Sequence, residues 1–382
     1  MNNRSNVTLP VALLMTILVV GLVYAIFVRP NFHRIAGGDI KFDATYVARL
    51  NTDLGETVSR MGDFLYVASE EGLTKYNQQG ESIWNKSYHI DELLFIVADP
   101  YIAVVNLTGK TAYIFDENGS TAEIATDYAI VGGYLNAKGY LCLSLENEEE
   151  NYIYLYNPLG ETIVKRLTMF REDGYPIDVA MSQDGTRMMT SHLDVSQHMI
   201  ESNITFLDFS TTGKEFEDRI VGHQSMTETM ASKLIFLDDS HGSVIGDNEL
   251  RFFEINPTPA LLNTVKVAAL IKQVVQSGDQ LVVSYGEATL PEGDATANSV
   301  VVYSAKGVVL EHYRYDDPVT GLLGEDGTFY VIQSSKVTCY ESGSHLWETL
   351  LYKPVDAIYH LNSDKYLLKF EYDYEVVEIR DI

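Results

Sequence analysis

Nine histidines, two cysteines and 54 acidic residues are the reactive groups of this 382-residue chain. The stretch SHLDVSQHM (191–199) sets His192, Asp194 and His198 close together, with His223 and His241 further on. Imidazole and carboxylate can hold zinc, but this spacing matches no compact ligand motif and reads as an exposed polar loop. ENEEEN (146–151) gathers four carboxylates. It lacks the alternating ligands and the glycine that a calcium loop needs, so it reads as a solvated, self-repelling hairpin loop. Cys142 and Cys339 fall in separate hydrophobic patterns and read as buried free thiols, since two distant cysteines make no disulfide framework. No GxSxG, HExxH or phosphate-cradling glycine loop occurs. The sequence therefore assigns no catalytic, cofactor-binding or metal-ligating residue and implies no cofactor. Loose binding of divalent cations by the acidic surface is the only ion chemistry it suggests.

The formal net charge of −27 removes nucleic acid from the partners, because phosphate would need a basic face. Aromatic residues are 11% of the chain, with 25 tyrosines, a composition that suits strands. Ahead of that β-rich chain, Leu9 to Val28 runs without a charge, close to the ~20 residues that span a bilayer and longer than a signal-peptide core. This predicts a short tail (1–8), one transmembrane helix (9–28) and a linker (29–43) before the main domain (44–382). Arg29, Arg34 and Lys41 after the span slightly favour a cytoplasmic domain on the positive-inside count. A short anchor followed by a large acidic β domain has the plan of a bacterial surface protein, which favours an extracytoplasmic one.

Beyond residue 40 the signal is repetition. The segments GDFLYVAS (62–69), DPYIAVVN (99–106), AKGYLCLS (137–144), DGTRMMTS (184–191), DSHGSVIG (239–246), GDQLVVSY (278–285), DGTFYVIQ (326–333) and SDKYLLKF (363–370) each follow a polar turn. Their spacing is about 36 to 55 residues with a mean near 43, the period of propeller blades. A third strand ending in an aromatic follows, and then glycine four residues later: Gly80 after Tyr76, Gly119 after Phe115, Gly160 after Tyr156, Gly213 after Phe209 and Gly307 after Tyr303. A tight hairpin often needs positive φ, which costs glycine little. Four-stranded units at this period predict an all-β, eight-bladed β-propeller, with seven blades as the alternative. INPTPA (255–260) predicts an irregular outer edge in unit five. Unit eight lacks an outer strand, and ATYVARLN (44–51) stands ahead of unit one with no blade of its own. Pairing the two would close the ring.

The turn-plus-Trp pattern, Gly80 to Trp84 and again Gly343 to Trp347, resembles the blade repeat of the pyrroloquinoline-quinone-like propellers. That group includes quinoprotein dehydrogenases and non-enzymatic envelope assembly factors. The pair Gly222-His223 is similar to the start of a Trp-Asp-repeat blade, although no Trp-Asp dipeptide follows. The overall plan resembles membrane-anchored propellers of Gram-positive anaerobes, a likeness that implies no activity. The quinoprotein enzymes often use adjacent cysteines as a stacking platform, and none occur here. The expected function is a non-catalytic, membrane-tethered binding or scaffold module at the cell envelope, with a protein or envelope polymer as partner. The alternative is an extracytoplasmic enzyme, a glycosidase or lyase, or less favourably a quinoprotein-type dehydrogenase. Loops 146–151, 191–202 and 285–299 are the expected recognition elements, making a polar, salt-sensitive contact.

Overall fold

A hydrophobic strand flanked by turns can bury both faces only if other sheets stack on each side, and radial stacking does this for every blade at once. The computed structural model describes residues 31–34, 41–50, 56–147, 150–169, 174–195, 199–286, 298–325, 327–371 and 373–381. Eight antiparallel sheets follow one another around a ring, the blades covering 57–87, 93–125, 129–169, 175–227, 231–266, 271–314, 321–350 and 357–381. The fold is thus an eight-bladed, all-β propeller. All eight segments that recur in the sequence supply the second strand of a blade.

Two further strands precede the blades. Strand β1 (Asn31–Arg34) lies parallel to the outer strand of blade six, and β2 (Lys41–Leu50) joins blade eight as its fourth strand. β2 runs antiparallel to Tyr374–Asp381, from Phe42 opposite Asp381 to Leu50 opposite Tyr374. Its first residues also pair with Glu348 and Thr349 of blade seven. Strand structure therefore reaches into 29–43, which the sequence reads as linker. Residues 1–30, including the apolar run Leu9–Val28, lie outside the described residues.

In each meander the turns after the first and third strands lie on one face of the ring, here the lower face. The hairpin between the second and third strands and the link to the next blade lie on the upper face. The lower face is stitched blade to blade. The Gly62 amide donates to Asp99 (2.9 Å), Asn136 Nδ2 to the Ser182 carbonyl (3.1 Å), the Asp184 amide to Asp239 (2.7 Å) and Gln276 Nε2 to the Leu237 carbonyl (3.0 Å). The His360 amide donates to Glu325 (3.1 Å) and Asn362 Nδ2 to Asp63 (3.3 Å), carrying the stitching through blade eight to blade one.

The glycine turns have a second role beside conformation. Gly80, Gly119, Gly160, Gly307 and Gly343 all have φ between 75° and 81°. A Cβ on Gly119 would sit 2.9 Å from the Lys86 side chain and 3.2 Å from the Trp84 ring, both in the outer strand of blade one. On Gly307 it would sit 2.4 Å from the Phe252 ring of blade five. The turn is pushed against the neighbouring blade, so glycine is needed for room as well as for φ. Trp347 packs likewise against Tyr330 of its own blade and Tyr366 of blade eight.

One local expectation is corrected and one is refined. Gly213 does not sit in a positive-φ hairpin: residues 212–219 form two short 3₁₀ turns, and Gly213 is needed because a Cβ there would meet the Asp208 carbonyl at 1.8 Å. Unit five keeps a full outer strand, Pro259–Lys266, whose register shifts opposite Phe252 and Phe253; both prolines fall in the turn or at the strand's first residue, where no ladder donor is lost.

Candidate functional site

Two places on the ring gather side chains from several blades. The first is an axial cavity of about 580 Å³ at the lower mouth, lined by groups from blades one, two, four, six, seven and eight. The Arg60 guanidinium reaches Glu325 at 3.3 Å, and Glu325 also accepts the His360 amide. The Asp99 carboxylate is held by the Gly62 amide, and Gln276 donates to two backbone carbonyls. Burial pushes the Tyr330 hydroxyl well above its ordinary range, and the nearby Glu325 adds to the effect. Arg60, Asp99, Gln276 and Glu325 thus already tie one blade to another.

The second place is the upper face at blades four and five. The hairpin after Arg187–Asp194 exposes Val195, Met199 (54% exposed) and Ile200. Tyr175, at the start of blade four, and Met230, in the link to blade five, are exposed beside it. The Glu228 amide donates to the Ile200 carbonyl (2.8 Å), which fixes the link against the hairpin. Met230 is anchored in turn, its amide donating to Asp247 (3.1 Å). Below Met230 lies a charged cluster. Glu249, 2% exposed, takes Arg251 at 2.7 Å and a short contact from Lys266, while Arg251 also donates to the Ser225 carbonyl of blade four (2.8 Å). Burial alone would raise the Glu249 carboxyl, but hydrogen bonding to Lys266 and the charge of Arg251 hold it below its ordinary value.

The sequence candidates do not converge. His192 and Asp194 are not in a loop: they belong to a strand, opposite Asn203 and Glu201, because the buried run that starts at Met188 continues through His192. His198 lies outside the described residues. His223 is in the outer strand of blade four with Nδ1 3.1 Å from the Thr205 hydroxyl, and His241 is tied to Asp238 (2.8 Å) in a lower-face turn of blade five. Among the described residues no group of three or more His, Cys, Asp or Glu is placed to hold a metal ion. ENEEEN is not a loop throughout: Glu146 pairs with Asn151 and the Asn147 amide donates to the Glu150 carbonyl (2.9 Å), while residues 148 and 149 lie outside the described residues. Cys142 and Cys339 are buried and free, and burial pushes both thiols up to about 12.

The three expected recognition elements nevertheless fall between the second and third strands of blades three, four and six, and the described strand ends that flank them all reach the upper face. At blade four this face also carries exposed apolar side chains. Val195, Met199 and Ile200 sit at a hairpin tip with no blade above them, so they stay exposed. Their letters were visible in the sequence, but only the strand boundary at Asp194 shows that they are not core.

The chain belongs to a family of unknown function (DUF5711), whose profile matches residues 43–379. No curated protein sequence matches it. Among solved structures it is similar to BamB from Moraxella catarrhalis, with a TM-score of 0.55 and 12% identity over 88% of this chain and 100% of that one. It is also similar to BBS1N, solved in complex with ARL6DN (TM-score 0.48, 14% identity, 88% of this chain and 95% of that one). A third is selenomethionine-substituted virginiamycin B lyase from Staphylococcus aureus (TM-score 0.47, 10% identity, 90% and 100%). At these identities the likeness is one of fold.

Proposed function

We propose that this family member is a non-catalytic, membrane-tethered propeller that serves as a binding or scaffold module on the cell envelope and engages a protein partner through its upper face. The observation that carries the reading is the grouping of Tyr175, Val195, Met199, Ile200 and Met230, all exposed, on the face that also bears the hairpins of blades three, four and six. A rigid ring with variable hairpins on one face is a common design for recognition. Apolar side chains ringed by polar ones suit a protein surface better than a soluble metabolite. The tether rests on the uncharged run Leu9–Val28, and the extracytoplasmic placement on the plan of an anchor followed by an acidic β domain.

Shortening the hairpins of blades four and six to glycine-containing turns tests the recognition half. The reading expects each shortened protein to fold and to lose the partner crosslinked by the parent in native membranes. If both fold and still capture that partner, recognition lies elsewhere. For the tether, the protein should resist alkaline carbonate extraction, and a mature amino terminus at Ile26 would refute an uncleaved anchor.

A further inference from the structure

A groove of about 470 Å³ opens on the outside of the ring between blades three and four. One wall is the outer strand of blade three, Thr162–Met169, which ends its sheet and so leaves one backbone edge unpaired along Ile163–Leu167. The other wall is formed by Leu207, Phe209 and the 3₁₀ excursion of blade four, where Asp218 and Arg219 both take positive φ (50° and 60°). Two consecutive non-glycine residues in that region are uncommon, and their turn places Arg219 on the groove.

The chemistry of the groove is unlike the rest of the molecule. Acidic residues outnumber Lys and Arg 54 to 27, yet this groove is lined by Arg166, Arg219 and Lys165, the last tied to Asp127, against a single carboxylate, Asp218. Arg219 reaches only the Ser210 carbonyl, at 3.4 Å, and the buried Nε of Arg166 has no hydrogen-bond partner. Among the described residues neither guanidinium forms an ion pair, whereas Arg60, Arg187, Arg251 and Arg380 all do. Ile163 and Leu167 are exposed at the same strand edge. The ring also shows that an outer edge takes an added strand: β1 pairs with Glu311 to Arg314 of blade six, as a fifth strand of that sheet.

We propose that this groove binds an extended segment of a partner protein that adds as a strand to blade three, with acidic side chains meeting Arg166 and Arg219 and apolar ones lying along Ile163 and Leu167. Backbone pairing would give affinity, and the two guanidinium groups would choose acidic over basic sequences. The site is separate from the upper face and does not depend on the function proposed there.

The probe is a fluorescein-labelled peptide of alternating valine and glutamate, with its binding to the purified protein followed by anisotropy. Saturable binding is expected, along with loss of about tenfold in affinity for each of Arg166→Glu and Arg219→Gln. Thermal melting establishes that each variant is folded, and Arg219→Gln, at the surface, keeps the test valid if Arg166→Glu is not. Methylating alternate backbone amides of the peptide, which leaves its charge intact, should abolish binding. Four results would overturn the proposal: no saturable binding up to about 1 mM, equal binding of a valine–lysine peptide, unchanged binding of the methylated peptide, or loss of binding on Met199→Ser.

Discussion

Gly307→Ala isolates the contact that seats one blade against the next. Gly307 has φ 75°, and an added Cβ would lie 2.4 Å from the ring of Phe252, a fully buried residue of blade five. Gly62 is the control: its φ is 56°, and nothing lies within 4 Å of the position a Cβ would take. Both substitutions incur the left-handed penalty of about 1–2 kcal/mol, and both recover about 0.4–1 kcal/mol from a stiffer unfolded chain. Only Gly307→Ala adds overpacking, about 1–3 kcal/mol. The difference between the variants is therefore about 1–3 kcal/mol. With a urea m-value of about 3 kcal/mol/M, it separates their unfolding midpoints by roughly 0.3–1 M. Equilibrium unfolding followed by tryptophan fluorescence reads this directly. Coincident midpoints would refute the claim that the turn is pressed into the neighbouring blade.

Removing β2 should cost more than a surface strand would. A protein beginning at residue 55 loses the whole ladder to Tyr374–Asp381 and the buried Leu50, roughly 5 kcal/mol or more, or at least about 7 °C in Tm relative to one beginning at residue 41. Two variants that melt alike would show that the ring does not depend on this closure. The pH dependence has two arms of opposite sign. Glu249, Asp184 and Asp238 are held below their ordinary pKa despite burial, so their stabilisation is full above the usual carboxylate range and is lost as pH falls through the lowered values. Asp178 is raised by burial despite Lys233, so its ionisation costs stability as pH rises past the ordinary value. Denaturant midpoints from about pH 3 to 7 should show Glu249→Gln weakening the acid-labile arm and Asp178→Asn relieving the opposing one. The same slope in all three proteins would contradict these assignments.

The blades were legible because each rests on a local signal. Leu141–Glu146 or Gln280–Tyr285 is apolar on both faces and follows a turn, and no tertiary information is needed to see that. Turn glycines such as Gly160 and Gly307 were readable for the same reason, since a hairpin's positive φ is set within a few residues, whereas their close approach to the neighbouring blade was not. Gly213 misled because its spacing from Phe209 matched the hairpin pattern while the intervening residues turn as 3₁₀. The axial cavity was not legible at all. Arg60 and Glu325 are 265 residues apart, and only closure of the ring brings them to 3.3 Å. Arg166 and Arg219 were hidden for a related reason: each is an ordinary basic residue until the outer strand of blade three and the 3₁₀ turn of blade four set them on one groove. His192 shows the converse: it read as part of an exposed polar loop, yet it is a buried strand residue opposite Asn203.

The claim at the centre of this account is that recognition belongs to the upper face. It is tested most directly by replacing one residue at a time with the photo-crosslinking amino acid p-benzoylphenylalanine in native cells, at Met199 on the upper face and at Lys138 in an exposed lower-face turn. The account predicts a discrete protein adduct from position 199 that is absent from position 138. An adduct from position 138 alone, the same adduct from both, or none from position 199 would contradict it.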